Sequence, residues 1–393
     1  MKSIGYLSFG HWSTAPFSKA RTGADALLQA IELAEAAEEL GVDGAYFRVH
    51  HFAQQHGSPF PLLAAIGAGT SRIEIGTGVI DMRYENPLYM AEDAGAADLI
   101  ADGRLQLGVS RGSPEQVIDG FRYFGHVPDE NDPSGATMAR NNFETFLKII
   151  DGARFAEPNP RPMFPNPHPG PLAIEPQSPG LRDRIWWGAA SDATARWAGE
   201  IGVNLQSSTL KLHESEEPFH VQQRKQIEMF QDAWAEAGHT REPRVSVSRS
   251  IFALVTDEDR QYFGHDGESR DQVGAIPDTG KAIFGRSYAA EPDVLLLLNF
   301  GSQSNSTLRQ AASFGLKNRM TIVIAWAEGL QQFQELGSDL IEGVYFGAQY
   351  WHQIDSPFNN EFVAGMKKRK EENRTYTYAG LTASSYMMTK LLI

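Results

Sequence analysis

Short apolar runs alternate with amphipathic stretches seven or eight times along this chain, and that alternation restricts the fold more than any other feature. The runs lie at 4–9, 44–49, 73–80, 104–110, 184–189, 203–207, 244–255 and 294–300. Between the first two, "ADALLQAIELAEAAEEL" (24–40) spaces Leu27, Ile31, Ala34 and Ala37 as one face of a helix, and Gly41 stops it. Similar helix patterns follow at 61–69, 88–100, near Pro114, at 191–202 and near 219–238. Strand–helix repetition of this kind implies parallel strands joined by helical crossovers. Eight units fit a closed barrel with helices outside. A doubly wound open sheet is the competing arrangement.

Composition narrows the partners. The chain has 393 residues, a formal net charge of -14 and no cysteine. Such an acidic balance argues against nucleic acid and against an anionic membrane surface. Without cysteine there is no disulfide, no thiolate metal site and no cysteine nucleophile. The start "MKSIGYLSFGHW" lacks a secretory pattern, and no apolar run approaches the roughly 18 residues of a spanning helix. The expectation is a cytoplasmic protein.

Two segments interrupt the alternation. Nine of the 21 prolines fall within 158–179, which predicts a long extended loop. The polar, glycine-rich stretch 257–287 predicts a second insertion. In a barrel, long loops of this kind rise over the C-terminal strand ends and cover the site.

Polar residues at those strand ends are the candidates for chemistry. His50 and His51 end the second run, with His56 close behind. A metal site needs three or four convergent ligands, and neighbours in an extended segment point to opposite sides. No metal centre is therefore expected. The two readings left for the histidines are neutral core residues and proton transfer or hydrogen bonding in a pocket. Asp81, Arg83, Tyr84 and Glu85 follow the third run. Gly76 and Gly78 in "GTGVIDMRYENP" would let a flat ligand approach the backbone, or mark a bend. In "GVSRGSPEQ", Ser110 and Arg111 sit at a glycine-bracketed turn suited to an anion, or Arg111 pairs with a carboxylate. In "WWGAASDATARWA", Ser191 is a natural N-cap with Thr194 three residues on, either a plain cap or a phosphate site. Asp192 beside them would repel a phosphate if it pointed inward. Gln206 lies near the end of the sixth run.

"FRVHHF", "IEIGTGVIDMRYENPLYMAEDAGAADLIADGRLQLGVSRG" and "IWWGAASDATARWAGEIGVNLQSS" resemble the luciferase-like flavin-dependent monooxygenases, from residue 2 to about residue 290. The resemblance implies a TIM-like (β/α)8 barrel with a bulky insertion and reduced FMN at the strand C-termini. It implies O2 activation by that flavin, oxidation of an organic small molecule and often a homodimer. Reduced flavin would come from a separate NAD(P)H:flavin reductase. A deazaflavin is the alternative, used by some relatives for hydride transfer. Residue by residue, His50 and His51 match the two histidines of a Glu-His-His motif, with catalysis attached to the first. Val49 stands where the glutamate would be. Gly78 and Val79 match a segment that packs on the flavin ring and often holds a non-proline cis peptide. Ser110 and Arg111 match a turn near the flavin. Ser191, Thr194 and the Ala190 backbone match a phosphate-binding helix start.

From about residue 291 a different resemblance takes over. "EPDVLLLLNFGSQSNSTLRQAASFGLKNRMTIVIAW" and "EGVYFGAQYWHQIDSPFNNEFVAGMKKR" resemble the late part of a type I periplasmic substrate-binding protein of an ABC transporter. The expected division is therefore a barrel over 1–290 and an α/β fragment over 291–393, like a junction of two unrelated genes. The fragment would form a partial second layer, and its first strand, 294–300, could serve as barrel strand eight. Two alternatives to an active monooxygenase follow: a solute-binding protein for an amino acid or amide, or a catalytically impaired chimeric barrel.

Overall fold

The computed structural model describes residues 3–16, 18–112, 116–166, 168–264, 270–276, 280–290, 294–297, 302–313, 317, 320–324, 330–346 and 356–371. Its contacts divide the chain into two units. Met1–Ser250 with Ser269–Ser287 form the first, and Ile251–Glu268 with Tyr288–Ile393 form the second.

The first unit begins with strands β1 (Gly5–Ser8), β2 (Gly44–Phe47), β3 (Glu74–Thr77), β4 (Ile80–Asp81), β5 (Leu105–Ser110), β6 (Ile185–Gly188), β7 (Asn204–Ser207), β8 (Leu210–Leu212) and β9 (Val245–Val247). The main sheet runs β1-β2-β3-β5-β6-β7-β9, with β4 paired to β5, and every pairing is parallel. Each new strand adds on the same side as the last. A doubly wound sheet needs a reversal of that order, so the open-sheet alternative falls away. The strands instead curl into a TIM-barrel-like half-barrel.

Helices α1 (Gly23–Glu39), α2 (Pro59–Gly69), α3 (Pro87–Ile100), α4 (Ala136–Ile150), α5 (Asp192–Glu200) and α6 (Phe219–Glu236) accompany these strands. Their starts follow the sequence. Thr22 and Asp25 exchange side-chain and backbone bonds at the head of α1. Asn86 caps Leu88 N and Tyr89 N, and Pro87 occupies the first turn of α3. Gly41 takes a φ of 84° just past α1, as a stop residue should. The core joins Phe47, Ile75, Leu107, Ile185 and Leu205 from successive strands to Phe143, Phe146 and Phe230 from the helices.

Three expectations needed correction. The helix between the fourth and fifth runs does not start at Pro114. Residues 113–115 lie outside the described residues, a 3-10 turn spans Gly120–Phe124, and the helix is α4. α4 carries the aromatic stripe that packs here: the Phe143 ring lies tilted against Trp187, with centroids 5.0 Å apart. The run 244–255 is not one strand. Beyond β9 the chain carries β10 (Ile251–Ala253), which belongs to the second unit, and α7 (Asp257–Phe263). The stretch 257–287 is more ordered than a loop. It holds a hairpin, β11 (Gln272–Ile276) and β12 (Gly280–Phe284), antiparallel to β8 in the first unit.

In the second unit, β13 (Tyr288–Ala290) pairs in parallel with β10. Strands β14 (Val294–Leu297), β15 (Thr321–Ile324) and β16 (Val344–Phe346) form a parallel sheet. The place offered to 294–300 as barrel strand eight is thus not the pairing found for its described part. β15 bonds on both sides, and β14 completes its ladder. Helices α8 (Ser302–Ser313), α9 (Leu330–Leu336), α10 (Ser338–Ile341) and α11 (Pro357–Glu371) follow the same alternation. A helix-like sequence pattern near 377–392 lies outside the described residues. Leu308, Ala311, Ile322, Ile324 and Leu336 make this unit's own small core.

Phe143 has no exposed surface and contacts Trp187, Trp197 and Phe146. Phe143→Ala should destabilise the first unit by about 3–5 kcal/mol, read as a lower urea midpoint at unchanged slope.

Candidate active site

Parallel strands deliver their C-terminal ends to one mouth, where the sequence-derived candidates gather. At the end of β2 the histidines part. The His50 ring accepts at Nε2 from Arg48 Nε, and its backbone N–H donates to His56 O at 2.9 Å. With Nε2 accepting a guanidinium N–H, Nδ1 is the nitrogen that carries the ring hydrogen. Arg48 precedes His50 by two, the spacing that keeps side chains on one side of an extended segment. That signal was in "FRVHH" and went unread. His51 goes the other way. Its ring stacks on Tyr84 at 4.1 Å and meets the edge of Phe124 at 5.0 Å. His56 is buried, against Phe47 and the Gly10 backbone. The three rings serve three environments, and among the described residues no group of three metal-ligating side chains comes together.

The next strand ends build a floor. The peptide between Gly78 and Val79 is cis. Ile80 and Asp81 pair with Val109 and Ser110. Asp81 is buried and grips Arg83 through both oxygens, the shortest contact being 2.6 Å from Nη2. Ser110 Oγ accepts from Gly112 N at 2.7 Å. Gly112 has a φ of 91°, and a Cβ there would run into the Asp81 carboxylate.

Gly188, at the end of β6, explains how β3, β5 and β6 come so close. A Cβ built on it would lie 2.9 Å from Val79 Cγ1 and 3.4 Å from Ser110 Cβ. Only glycine fits this close approach, because any side chain would run into Val79. Beneath it, Gln206 Nε2 donates to Thr77 O at 3.0 Å, and Thr77 Oγ1 donates to Gly108 O at 2.7 Å. Gln206 Oε1 is buried without a hydrogen bond among the described residues.

Arg111 leaves the end of β5 half-buried, with no hydrogen bond or ion pair among the described residues. Burial lowers its pKa most, Arg83 lowers it further, and Asp81 and Asp132 act against both. An uncommitted guanidinium in such a place is an anion site in search of its anion.

The start of α5 has Ser191 as its N-cap, as the sequence pattern indicates. Ser191 and Thr194 cap each other reciprocally, and Ala190 O accepts from Leu212 N at 2.7 Å. Asp192 N donates to Glu214 at 3.3 Å. The Asp192 carboxylate does not point into an empty site, because Lys211 meets it at 3.0 Å and Glu214 at 2.5 Å. Lys211 is 1% exposed. A buried ammonium needs such partners, and "TLKLHESEE" offered no hint that the lysine turns inward. The helix start therefore already meets oxygens of its own chain, which leaves Arg111 as the open donor.

Glu85 was visible in the sequence only as one polar residue among several. Burial pushes its carboxyl up to about 7, and the charges of Asp81 and Asp93 add to the effect.

These residues suit a flat ring with an anionic tail. Gly188 keeps backbone rather than a side chain between Val79 and Ser110, and Arg111 offers an unspent charge at the same strand ends.

Comparison with known proteins agrees. The chain is 24% identical over 239 residues to the oxygenase component of flavin-dependent trigonelline monooxygenase from Acinetobacter baylyi, covering 60% of this chain and 62% of that protein. It is 24% identical over 213 residues to the alkanal monooxygenase alpha chain of the Kryptophanaron alfredi symbiont, covering 53% and 54%. The chain thus spans about half to three fifths of the length of these relatives. Two solved structures share the fold. A monooxygenase from Streptomyces bottropensis has a TM-score of 0.53 at 18% identity, over 88% of this chain and 91% of that one. The oxygenating constituent of 3,6-diketocamphane monooxygenase from Pseudomonas putida, in complex with FMN, has a TM-score of 0.51 at 20% identity, over 65% and 69%. A periplasmic binding protein family matches residues 282–392. The luciferase-like monooxygenase family matches residues 7–262, well over half of the chain, and this chain belongs to that family.

Proposed function

We infer that the chain is the oxygenase of a two-component system. It binds reduced FMN delivered by a separate NAD(P)H:flavin reductase and oxidises an organic small molecule with O2. The observation that carries this reading is Arg111, an uncommitted, half-buried guanidinium at the strand ends where Val79, Ser110 and Gly188 meet. Bound reduced FMN would supply the electrons that activate O2. Arg111 would hold its phosphate. Ser110, Ser191, Thr194 and the Ala190 backbone would contribute polar groups at the same mouth. Gly78 and Val79 would lie against the ring.

The remaining work falls to the protein's titratable groups. His50, which takes the Arg48 N–H at Nε2, would exchange a proton at Nδ1 with the reacting atoms. His51, locked between Tyr84 and Phe124, would orient rather than transfer. Glu85, whose burial and acidic neighbours disfavour the charge, would take up or release a proton near pH 7.

Three outcomes are expected. Arg111→Gln should weaken FMN binding about 10- to 100-fold by fluorescence titration, as loss of a charge-assisted contact predicts. Equal affinity would leave the phosphate without its holder. His50→Ala should lower reductase-dependent substrate oxidation roughly 100-fold or more with FMN affinity little changed. Unchanged turnover would remove His50 from the chemistry. Glu85 gives a stability signature. Its folded-state pKa of about 7 lies above the unfolded value of about 4.3, so the folded state keeps the proton longer and stability falls as pH rises between them. Glu85→Gln should abolish that fall. The variant should gain on the order of 1–3 kcal/mol over the parent at pH about 8 and almost nothing at pH about 4, by urea unfolding at each pH.

A further inference from the structure

The N-terminal ends of the same strands, opposite His50 and Arg111, enclose a second concavity of about 750 Å3. In a chain of net charge -14, its wall carries Arg72, Arg104, Arg184, Arg241 and Arg244 against only Glu74, Asp183 and Glu242. Each arginine comes from a segment that leads into a strand: β3, β5, β6 or β9.

Some of these charges are matched. Arg244 takes Glu74 in two bonds of 2.9 and 2.8 Å. Arg184 turns to the buried Asp98 at 2.6 Å, and Arg241 Nε lies 3.3 Å from Asp183. Others are not. Arg104 spends its terminal N–H groups on Gly67 O, Thr70 O, Ile73 O and the Thr70 hydroxyl. Arg72 donates to Glu38 O. A carbonyl satisfies a donor but neutralises no charge. Among the described residues neither the Arg72 nor the Arg104 guanidinium has an ion pair, although the Glu38 carboxylate accepts the Arg72 backbone N–H at 2.6 Å, and Glu242 is the lining carboxylate without an ion pair.

Donor capacity is left over as well. A guanidinium has five N–H groups. Arg72 uses one, and Arg184 uses only Nη2. Arg241 spends Nη1 on Asn204 Oδ1 and Glu242 O and gives Nη2 one acceptor, Gly202 O. Positive groups already crowd one another here. Burial lowers the Arg241 pKa most, Asp183 opposes it, and Arg182 and Arg244 press it down again. Bracing the barrel end accounts for Arg104 and Arg244. It does not account for spare donors on three further arginines around one concavity.

We propose that this cavity binds a small multivalent oxyanion of the phosphate type, with Arg72, Arg184 and Arg241 as donors and Arg104 as a fixed charge. Forked donors of this kind match phosphate geometry. The site is separate from the flavin mouth and independent of the function inferred there.

The test is calorimetric titration of the full chain with inorganic phosphate and with glycerol 3-phosphate at constant ionic strength, with chloride as control. Saturable phosphate binding is expected in the parent and also, at a single remaining site, in Arg111→Gln, whose flavin mouth no longer competes for phosphate. Arg72→Gln and Arg241→Gln, each verified as folded by circular dichroism, should weaken it about tenfold, and Glu242→Gln should tighten it. Stronger binding of the ester would identify a phosphomonoester as the occupant, and weaker binding would identify free phosphate; either supports the site. Absence of saturable binding overturns the proposal. So does binding that Arg111→Gln abolishes while Arg72→Gln and Arg241→Gln retain it.

Discussion

Parallel pairing in strict sequence order is the constraint on which the first unit depends. Because β1, β2, β3, β5, β6, β7 and β9 all run the same way, their C-terminal residues meet at one rim and their N-terminal residues at the other. Residues as distant in sequence as Val79, Ser110 and Gly188 become neighbours without a dedicated contact to recruit them. The ladder also fixes which side chains can approach, since one register step would turn each of them to the other face.

The two rims are chemically unlike. At the C-terminal rim, polar groups are few and mostly neutralised locally, as Arg83 is by Asp81 and Lys211 by Asp192 and Glu214. That economy makes Arg111 stand out. At the N-terminal rim, arginines accumulate where chain reversals leave carbonyl oxygens exposed, and Arg104 alone ties the end of α2 to the entry of β5. Here the helical layer is held by cations that satisfy backbone acceptors. An excess of positive charge follows from that way of building.

Much of this could be read from the residues. Period and punctuation located the strands from β1 to β7, because continuous apolar runs bounded by glycine suit strands buried on both faces. The parting of His50 and His51 followed from extended geometry alone. What escaped reading depended on partners remote in sequence. Glu85 owes its raised pKa first to burial by the folded chain, with the charges of Asp81 and Asp93 adding to it. The burial of Lys211 depends on Asp192, 19 positions earlier. The division of 244–255 into β9 and β10 was equally hidden, since both halves read as strand and only their partners, β7 and β13, separate them.

That division has an evolutionary consequence. The segment 251–268 lies in the luciferase-like stretch up to residue 262, yet it folds with the second unit, and 269–287 returns to the first. The units therefore exchange the chain three times rather than once. A recombination event that swapped everything after a single breakpoint could not replace one unit whole: it would leave either β10 without β13 or β8 without its hairpin. Once joined in this interlaced way, the two ancestries are inherited as one, and any later exchange of parts has to respect the spatial seam rather than the seam between the two families.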